Sequence, residues 1–135
     1  MKTFYEYDSN GNKIHSKDSK GTEEWYEYDS NGNEIYFKRI YGIECQREYN
    51  GKGKLIYARV HDTETWFEYD SKGNKIYSKD SDGYEKWHEY DENGSLIYYK
   101  YISFNEENEN KEIFYEIEYD SNGNSNKIIE YINFE

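Results

Sequence analysis

Aromatic and charged residues alternate along this chain in short runs, and this alternation is its strongest pattern. Residues 25–28, Trp-Tyr-Glu-Tyr, have the period of two that is expected of a half-buried strand. A second run of this kind, Ile-Tyr-Phe-Lys at 35–38, follows after a short segment rich in turn-forming residues. Two such runs separated by a turn predict a β-hairpin.

The hairpin pattern is repeated along the whole chain. The motif Glu-Tyr-Asp-x-x-Gly-Asn-x-Ile recurs with variations, and its tyrosine anchors are Tyr7, Tyr28, Tyr49, Tyr69, Tyr90 and Tyr119. A glutamate precedes every anchor, and a glycine follows every anchor four residues later. The sequence therefore predicts a single domain, 1–135, of six tandem hairpin repeats, approximately 4–24, 25–45, 46–65, 66–86, 87–112 and 113–135.

An Asn-Gly or Lys-Gly pair separates the two strands of each hairpin. Asn-Gly between alternating segments favours a two-residue type I′ turn, which places Tyr28 opposite Ile35 and Trp25 opposite Lys38. One face then carries a Tyr/Ile core in the first five repeats. The other face carries the aromatic–cation pairs Phe4/Lys17, Trp25/Lys38, Trp66/Lys79 and Trp87/Lys100, and Gln46 faces Arg59 in the third repeat. The insertion Ser125-Asn126 predicts a shifted register in the sixth repeat.

These repeats predict an all-β fold, an antiparallel meander of about twelve strands. Open sheets rarely exceed about 10 strands without curling or splitting. We therefore expect a strongly coiled sheet or a barrel-like wrap that encloses the Tyr/Ile face.

Composition changes this picture in one respect, the nature of the partner. The chain has a net charge of −12, and its 18 Tyr, 6 Phe and 3 Trp distinguish it from disordered acidic chains. The acidic balance argues against a nucleic-acid backbone as ligand and favours a basic protein partner. The sequence shows no secretory signal and no apolar run that could span a membrane, so no membrane association and a cytoplasmic location are expected.

Few residues in the sequence indicate catalytic or metal-binding chemistry. The three histidines, His15, His61 and His88, lie in different repeats, and Cys45 has no nucleophile motif around it. Residues 8–12 are similar to a calcium loop, but their glycine comes too early for an EF-hand. We expect a non-enzyme without catalytic residues, metal or cofactor.

Partner-binding residues are expected where aromatic side chains recur or where the repeats disagree. The candidates are Trp25, Trp66 and Trp87, the third-repeat break at Gln46 and Arg47, and the acidic insertion with Glu106, Glu107, Glu109 and Glu112. The ladder of glutamates before the anchors could also bind, or it could be balanced by diagonal neighbours such as Lys17 and Lys79. The tryptophans could likewise pack against lysine stems.

The run Tyr-Glu-Tyr-Asp-Ser-Asn-Gly-Asn at 5–12 and 26–33 closely resembles the YD repeat of the RHS family, and related runs extend the resemblance over the whole length. In that family, YD repeats form a β-sheet that spirals into a non-catalytic shell around a toxin domain. Small stand-alone proteins of this kind accompany polymorphic toxins as immunity proteins. The resemblance thus implies an immunity-type inhibitor of a basic toxin domain; the alternatives are a carbohydrate-binding module and a structural fragment of a larger shell or surface protein.

Overall fold

The computed structural model describes residues 1–104 and 111–134, and every regular element in these ranges is a β-strand. The strands are β1 (Thr3–Tyr7), β2 (Lys13–Asp18), β3 (Glu23–Tyr28), β4 (Glu34–Arg39), β5 (Glu44–Tyr49), β6 (Leu55–Val60), β7 (Thr63–Tyr69), β8 (Lys75–Asp80), β9 (Glu85–Tyr90), β10 (Leu96–Phe104), β11 (Lys111–Tyr119) and β12 (Ser125–Phe134). The described part of the chain contains no helix that could cross a membrane.

The chain divides into two compact units, Met1–Glu64 and Thr65–Glu135. Within each unit the strands pair antiparallel with their neighbours in the chain, so the strand order follows the sequence order. The predicted all-β antiparallel meander of hairpins is confirmed. The coiled wrap and the single-domain organisation stay predictions.

The hairpin turn differs from the predicted type I′ turn. In the second repeat the Gly32 amide donates to the Asp29 carbonyl at 3.0 Å, and the Asp29 amide donates to the Asn33 carbonyl at 2.9 Å. Gly32 has a φ of 82°, whereas Asn31 keeps a negative φ, which excludes a type I′ turn. The loop is therefore a three-residue loop, a type I turn followed by a left-handed glycine.

An aspartate at the start of the turn explains this choice. The Asp29 carboxylate oxygen Oδ1 accepts hydrogen bonds from the Asn31 and Asn33 amides, both at 2.9 Å. Aspartate at the first position and glycine at the fourth are the residues that a type I turn favours. Asp8 and Asp70 make the same pair of contacts in their own turns, and Asn50 makes them in the third repeat.

The longer loop places a bulge in every hairpin and changes the register beside it. Trp25 lies opposite Lys38 and Glu27 opposite Tyr36, as predicted, but Tyr28 lies opposite Glu34 and not Ile35. The predicted Tyr/Ile pairing is wrong in all of the first five repeats, where the anchors pair as Tyr7/Lys13, Tyr28/Glu34, Tyr49/Leu55, Tyr69/Lys75 and Tyr90/Leu96. Isoleucine is the extra residue of the bulge.

The sixth hairpin keeps the same register in spite of its insertion. Glu118 lies opposite Lys127 and Tyr119 opposite Ser125, with the bulge between these two pairs as in the other repeats. The predicted shift is therefore wrong. Asn126 takes the bulge position that isoleucine holds elsewhere, so the inserted residues displace side chains along β12 and leave the strand pairing unchanged.

Each unit is a single sheet whose side chains are mostly half-buried. Among the described residues only Ser16 and Cys45 are buried, each with 6% of its surface exposed, and no side chain is fully enclosed. The two sides of the sheet carry different residues because side chains alternate along a strand. We call the side with the glutamates that precede the anchors the glutamate face, and the side with the anchors the tyrosine face.

Hydroxyl–carboxylate contacts on the glutamate face join consecutive hairpins. The Tyr36 hydroxyl donates to Glu44 at 3.2 Å, and the Tyr77 hydroxyl donates to Glu85 at the same distance. In the first repeat His15 takes the tyrosine's place and its Nε2 contacts Glu23 at 2.8 Å. In all three cases the acceptor is the first residue of the next hairpin.

The lysines of the aromatic–cation pairs also contact these glutamates. Lys17 pairs with Glu23 at 3.2 Å, and Lys79 pairs with Glu85 at 3.4 Å. The predicted diagonal pairing of these two lysines with the glutamates before the anchors is therefore wrong. The first glutamate of the next hairpin is closer, because Glu23 lies directly opposite Lys17 and Glu85 lies directly opposite Lys79.

The third-repeat turn offers a matched test of the left-handed glycine. Gly53 has a φ of 75°, whereas Gly51 in the same turn does not have a positive φ, and an added Cβ meets nothing within 4 Å at either position. We expect Gly53→Ala to destabilise the protein by about 1 kcal/mol, because an L-residue is strained in this conformation. Gly51→Ala should be neutral or slightly stabilising. Urea denaturation of both variants measures this, and an equal loss in both would contradict the assignment.

The turn aspartate predicts a dependence of stability on pH. Hydrogen bonds, foremost from the Asn33 side chain, lower the pKa of Asp29 below its usual 3.8. The stabilisation is thus present above that value and is lost as the pH falls through the lower, folded-state pKa. We expect Asp29→Ala to lower Tm at neutral pH, and Asp29→Asn, which keeps the acceptor that Asn50 supplies naturally, to lower it less. Thermal melts between pH 7 and about pH 2 should show a smaller acid loss in Asp29→Asn than in the wild type.

Candidate functional site: two equivalent acidic grooves

A groove lined by aromatic and acidic residues occurs twice, once in each unit. The first groove includes Glu27, Ile35, Tyr36, Gln46, Glu48 and Tyr57 among its lining residues. The second groove includes Glu68, Ile76, Tyr77, Trp87, Glu89 and Tyr98. Each residue of the second set stands at the position of its counterpart in the first set, two repeats further along the chain.

The register explains the equivalence of the two grooves. In the first unit Glu27, Tyr36 and Gln46 form a row across three neighbouring strands. In the second unit Glu68, Tyr77 and Trp87 form the same row. The bulge beside each anchor adds the isoleucine at one end of the row. The repeated turn thus creates the same concave surface on the glutamate face of both units.

Carboxylates dominate both grooves. Glu27, Asp29 and Glu48 line the first groove; Arg47 also lines it, but its guanidinium pairs with Glu34 on the tyrosine face. The second groove has Glu68, Asp70 and Glu89 with one lysine, Lys100. Each groove thus carries three carboxylates, and in the second groove Lys100 offsets one of them. The four glutamates are exposed, so their charges are available to a ligand.

The tyrosines between these glutamates remain protonated donors. Burial, followed by the hydrogen bond to Glu44, raises the pKa of Tyr36 above its usual 10.0. Burial also raises the pKa of Tyr77, with the charge of Glu85 as the next cause. A phenol with a raised pKa is uncharged throughout the neutral range. The negative charge of the grooves therefore comes from their carboxylates.

One central position differs chemically between the two grooves. Gln46 holds it in the first groove and Trp87 in the second. The Trp87 ring centroid lies 5.2 Å from that of Tyr77, and the Lys100 ammonium lies 5.3 Å from the Trp87 ring. The second groove is therefore the more aromatic of the two, and the first is the more polar.

The sequence-predicted site residues are distributed over both units. Gln46 and Arg47 line the first groove, and Trp87 lines the second. Arg47 also forms an ion pair with Glu34, which occupies its guanidinium. The structure thus places these three predicted residues in concave surfaces, and Gln46 takes in the first groove the position that Trp87 takes in the second, as their places in the repeat indicated.

The other two tryptophans lie outside the grooves, on the glutamate face of their own units. Trp25 is half-buried and stacks on His15 with ring centroids 5.6 Å apart. Trp66 lies opposite Lys79, and 40% of its surface is exposed. Glu106, Glu107 and Glu109 lie outside the described residues. The backbone of Glu112 belongs to β11, but its side chain is also outside the described part.

Sequence reasoning missed one exposed aromatic residue at a turn. Tyr41 has a φ of 56° and is completely exposed, and it is one of two non-glycine residues with a positive φ in the described ranges. A left-handed tyrosine is strained, and such residues are often functional. The only available signal was its position before Gly42, where the other hairpin connections have a polar residue.

The described residues contain no group of three or more His, Cys, Asp or Glu side chains that could hold a metal ion. The histidines lie apart, as their sequence positions suggested: His15 contacts Glu6 and Glu23, whereas His88 contacts tyrosine rings on the tyrosine face. The candidate site is therefore described by its charge, its aromatic rings and its repetition.

No family model and no curated protein matches this chain. Among solved structures, it is similar to a chain of the TcdB2–TccC3–TEV crystal structure, with a TM-score of 0.59 and 16% sequence identity over 96% of this chain. The Photorhabdus luminescens Tc holotoxin pore, carrying a TccC3 mutation, gives a TM-score of 0.57 and 16% identity over the same share. This chain spans only 9% of the length of either matched chain. The likeness shows a shared fold, consistent with the YD-repeat fold that the sequence resembles.

The lowered pKa of His88 leads us to expect a second dependence of protein stability on pH. Burial, followed by the charges of Lys75 and Lys86, lowers the pKa of His88 below its usual 6.5. The unfolded chain then binds a proton at His88 more readily than the folded chain does. The stability of the protein should therefore fall as the pH drops below about 6.5. We expect His88→Phe to reduce this loss between about pH 7 and pH 5.5. Denaturation midpoints at several pH values measure it; replacing the exposed His61 by Phe is the control and should leave the loss in place.

Proposed function

We propose that this chain is a non-catalytic, YD-repeat protein-binding module, an immunity-type inhibitor that occludes a basic bacterial toxin domain. The observation that carries the proposal is the duplication of one acidic, aromatic groove in the two units. A catalytic centre requires a particular set of reacting groups, whereas a repeated groove of exposed carboxylates is suited to an extended partner surface. A single small substrate would not need two equivalent grooves.

Charge identifies the class of partner. The chain has a net charge of −12, and three carboxylates line each groove. Lysine and arginine side chains of a partner would find carboxylates beside aromatic faces, which favours both ion pairs and cation–π contacts. The field of the whole chain would also accelerate encounter with a basic domain.

The spacing of the glutamates supports an extended interface. Equivalent residues of consecutive repeats lie two strands apart, which corresponds to about 10 Å along a sheet. Glu27 and Glu48 flank the first groove, and Glu68 and Glu89 flank the second. A basic surface with several separated cations matches such a row better than a small cationic ligand does.

The fold likeness supports a connection with toxins. The similar solved structures are named for the TcdB2–TccC3 and Tc holotoxin assemblies, and the likeness extends over 96% of this chain. Together with the RHS-type YD motif, this favours a toxin-related protein. Neutralisation of a toxin in the cell that makes it would take place in the cytoplasm, which is where we propose that the chain acts.

A second candidate function is a structural segment of a larger YD-repeat shell. The observation in its favour is that this chain covers only 9% of each similar toxin chain. The two candidates differ in genomic context: a separate toxin gene beside this one favours the inhibitor, and a continuous longer reading frame favours the shell segment.

A carbohydrate-binding platform is less well supported by the tryptophans. Sugar stacking needs an accessible aromatic face. Trp25 is half-buried against His15, and Trp87 is half-buried between Tyr77 and Lys100. Trp66 is the more exposed ring, and it alone does not form a row.

The double variant Glu68→Gln/Glu89→Gln tests the proposed groove. We expect it to weaken binding to the basic toxin domain encoded by the neighbouring gene by about tenfold or more, mainly through a slower association rate. Calorimetry gives the Kd, and stopped-flow mixing at two salt concentrations gives the association rate. The matched control Asp82→Asn/Glu92→Gln removes the same charge from two exposed turn positions of the same unit and should change the Kd by less than about twofold.

Two results would overturn the proposal. The first is the absence of a complex with that domain together with a failure to rescue cells from its toxicity. The second is an equal loss of affinity in the groove variant and the turn control, which would show that only the overall charge matters. Trp87→Gln, which gives the second groove the residue of the first, then reports whether the two grooves contribute unequally.

A further inference from the structure

The tyrosine faces of the two units differ most at one equivalent row of residues. In the first unit the row is Tyr26, Phe37 and Cys45, with the Tyr26 and Phe37 ring centroids 5.2 Å apart and Cys45 buried. The same row in the second unit is Phe67, Ser78 and Lys86. Serine in place of phenylalanine leaves space, and lysine in place of cysteine brings a charge into it. A groove of about 500 Å³, which we call the basic groove, lies at this position.

The residues beside this row are also more basic in the second unit than in the first. In the first unit Glu34 and Arg47 form an ion pair across the tyrosine face. The equivalent residues of the second unit are Lys75, opposite the anchor Tyr69, and His88, two residues before the anchor Tyr90. An acid–base pair has therefore become two basic residues, and both line the basic groove.

Three lysines line the basic groove; Lys79 pairs with Glu85, whereas Lys75 and Lys86 have no carboxylate partner among the described side chains. Within residues 1–103 and 117–128, where the side chains are described, neither Lys75 nor Lys86 forms an ion pair, although the chain has 29 acidic residues. The Lys75 ammonium lies 4.6 Å from the Phe67 ring centroid, and the Lys86 ammonium lies 5.8 Å from that of Tyr101. Asp80 is the one carboxylate among the lining residues, and its Oδ1 already accepts the Asp82 and Tyr84 amides of its own turn.

Aromatic rings form the remaining sides of the basic groove. His88 stacks on Tyr90 with an interplanar angle of 8°, and its ring centroid lies 5.1 Å from that of Tyr99. Tyr84, Tyr90 and Tyr99 all line the groove. Flat faces next to unpaired cations suit a ligand that is itself flat and negatively charged, and the volume is in the range of small-molecule sites.

We propose that the basic groove binds a small aromatic carboxylate, whose carboxylate pairs with the Lys75 and Lys86 ammoniums while its ring packs against the tyrosines. The lysines of this site lie on the opposite face of the sheet from the exposed glutamates of the second acidic groove, and the site takes a ligand of opposite charge, although His88 and Tyr90 line both grooves. In the first unit Phe37 and Cys45 occupy the equivalent positions, and Glu34 pairs with Arg47.

Benzoate is the probe for the test, and NMR of the intact chain follows the His88 imidazole and the Tyr99 ring during a titration. For a ligand of this size we expect saturable shifts with a Kd on the order of 1 mM. Bound carboxylate should also raise the pKa of His88, whose charged neighbours are Lys75 and Lys86. Benzyl alcohol, which has the ring without the charge, and inorganic phosphate, which has the charge without the ring, should bind at least about tenfold more weakly.

Lys75→Glu gives the groove the residue of the first unit and should weaken benzoate binding by about tenfold or more. Ser78→Phe, which fills the groove as Phe37 does in the first unit, should do the same without changing the charge. The control Lys52→Glu makes the same charge change at an exposed turn of the first unit and should leave the Kd unchanged. The proposal is overturned if benzoate gives no saturable shifts, if phosphate binds as tightly as benzoate, or if the folded groove variants bind as the wild type does.

Discussion

The left-handed glycine four residues after each anchor tyrosine is the constraint on which this molecule depends. With the preceding aspartate it closes a three-residue loop, and a three-residue loop leaves one strand with an extra residue. The resulting bulge sets the register beside every anchor: it pairs Tyr28 with Glu34 and leaves Ile35 without a partner. Because every repeat has the same turn, every repeat has its bulge at the same position beside the anchor. Equivalent side chains therefore form rows across the strands, and the same groove occurs in both units.

A chain with few buried residues has to obtain its stability from contacts between neighbouring strands. The aromatic residues suit this need, since a tyrosine covers a large area of the sheet while its hydroxyl remains available for hydrogen bonding. Tyr36 and Tyr77 use that hydroxyl to bind the first glutamate of the following hairpin, and Lys79 reaches the same carboxylate as Tyr77. These hydrogen bonds and ion pairs between consecutive hairpins explain why the chain is polar in composition and yet forms regular sheets. They also distinguish two classes of glutamate: those that join hairpins, and those before the anchors that remain exposed.

The local pattern was sufficient to predict the strands, their order and several cross-strand pairs. Trp25 with Lys38 and Trp87 with Lys100 follow from counting outward from the turn, and the bulge leaves these pairs unchanged. The turn type was missed because Asn-Gly was given more weight than the aspartate two residues earlier, whose carboxylate selects a type I turn. The partners of Glu23 and Glu85 were missed because they depend on the pairing between hairpins, which is set by a second turn. The repeat pattern had indicated the equivalence of Gln46 with Trp87, but the grooves that the two residues line required the structure.

The repetition separates the residues that form the fold from those that could give it a function. Aspartate, glycine and the anchor tyrosine serve the turn and the register in each unit, so their recurrence says little about a ligand. Differences between equivalent positions are more informative, because the backbone around them is the same. On the glutamate face the exchange of Gln46 for Trp87 changes the polarity of a groove without changing its acidic rim. On the tyrosine face, the exchange of Phe37 for Ser78 opens a space. The exchange of Glu34 for Lys75 gives that space a positive charge. The exchange of Phe37 for Ser78 costs packing, since a filled alternative exists in the first unit, although Lys75 itself moves this acidic chain towards neutrality. A requirement outside the fold, such as a ligand, is therefore the simpler explanation for the second unit's groove.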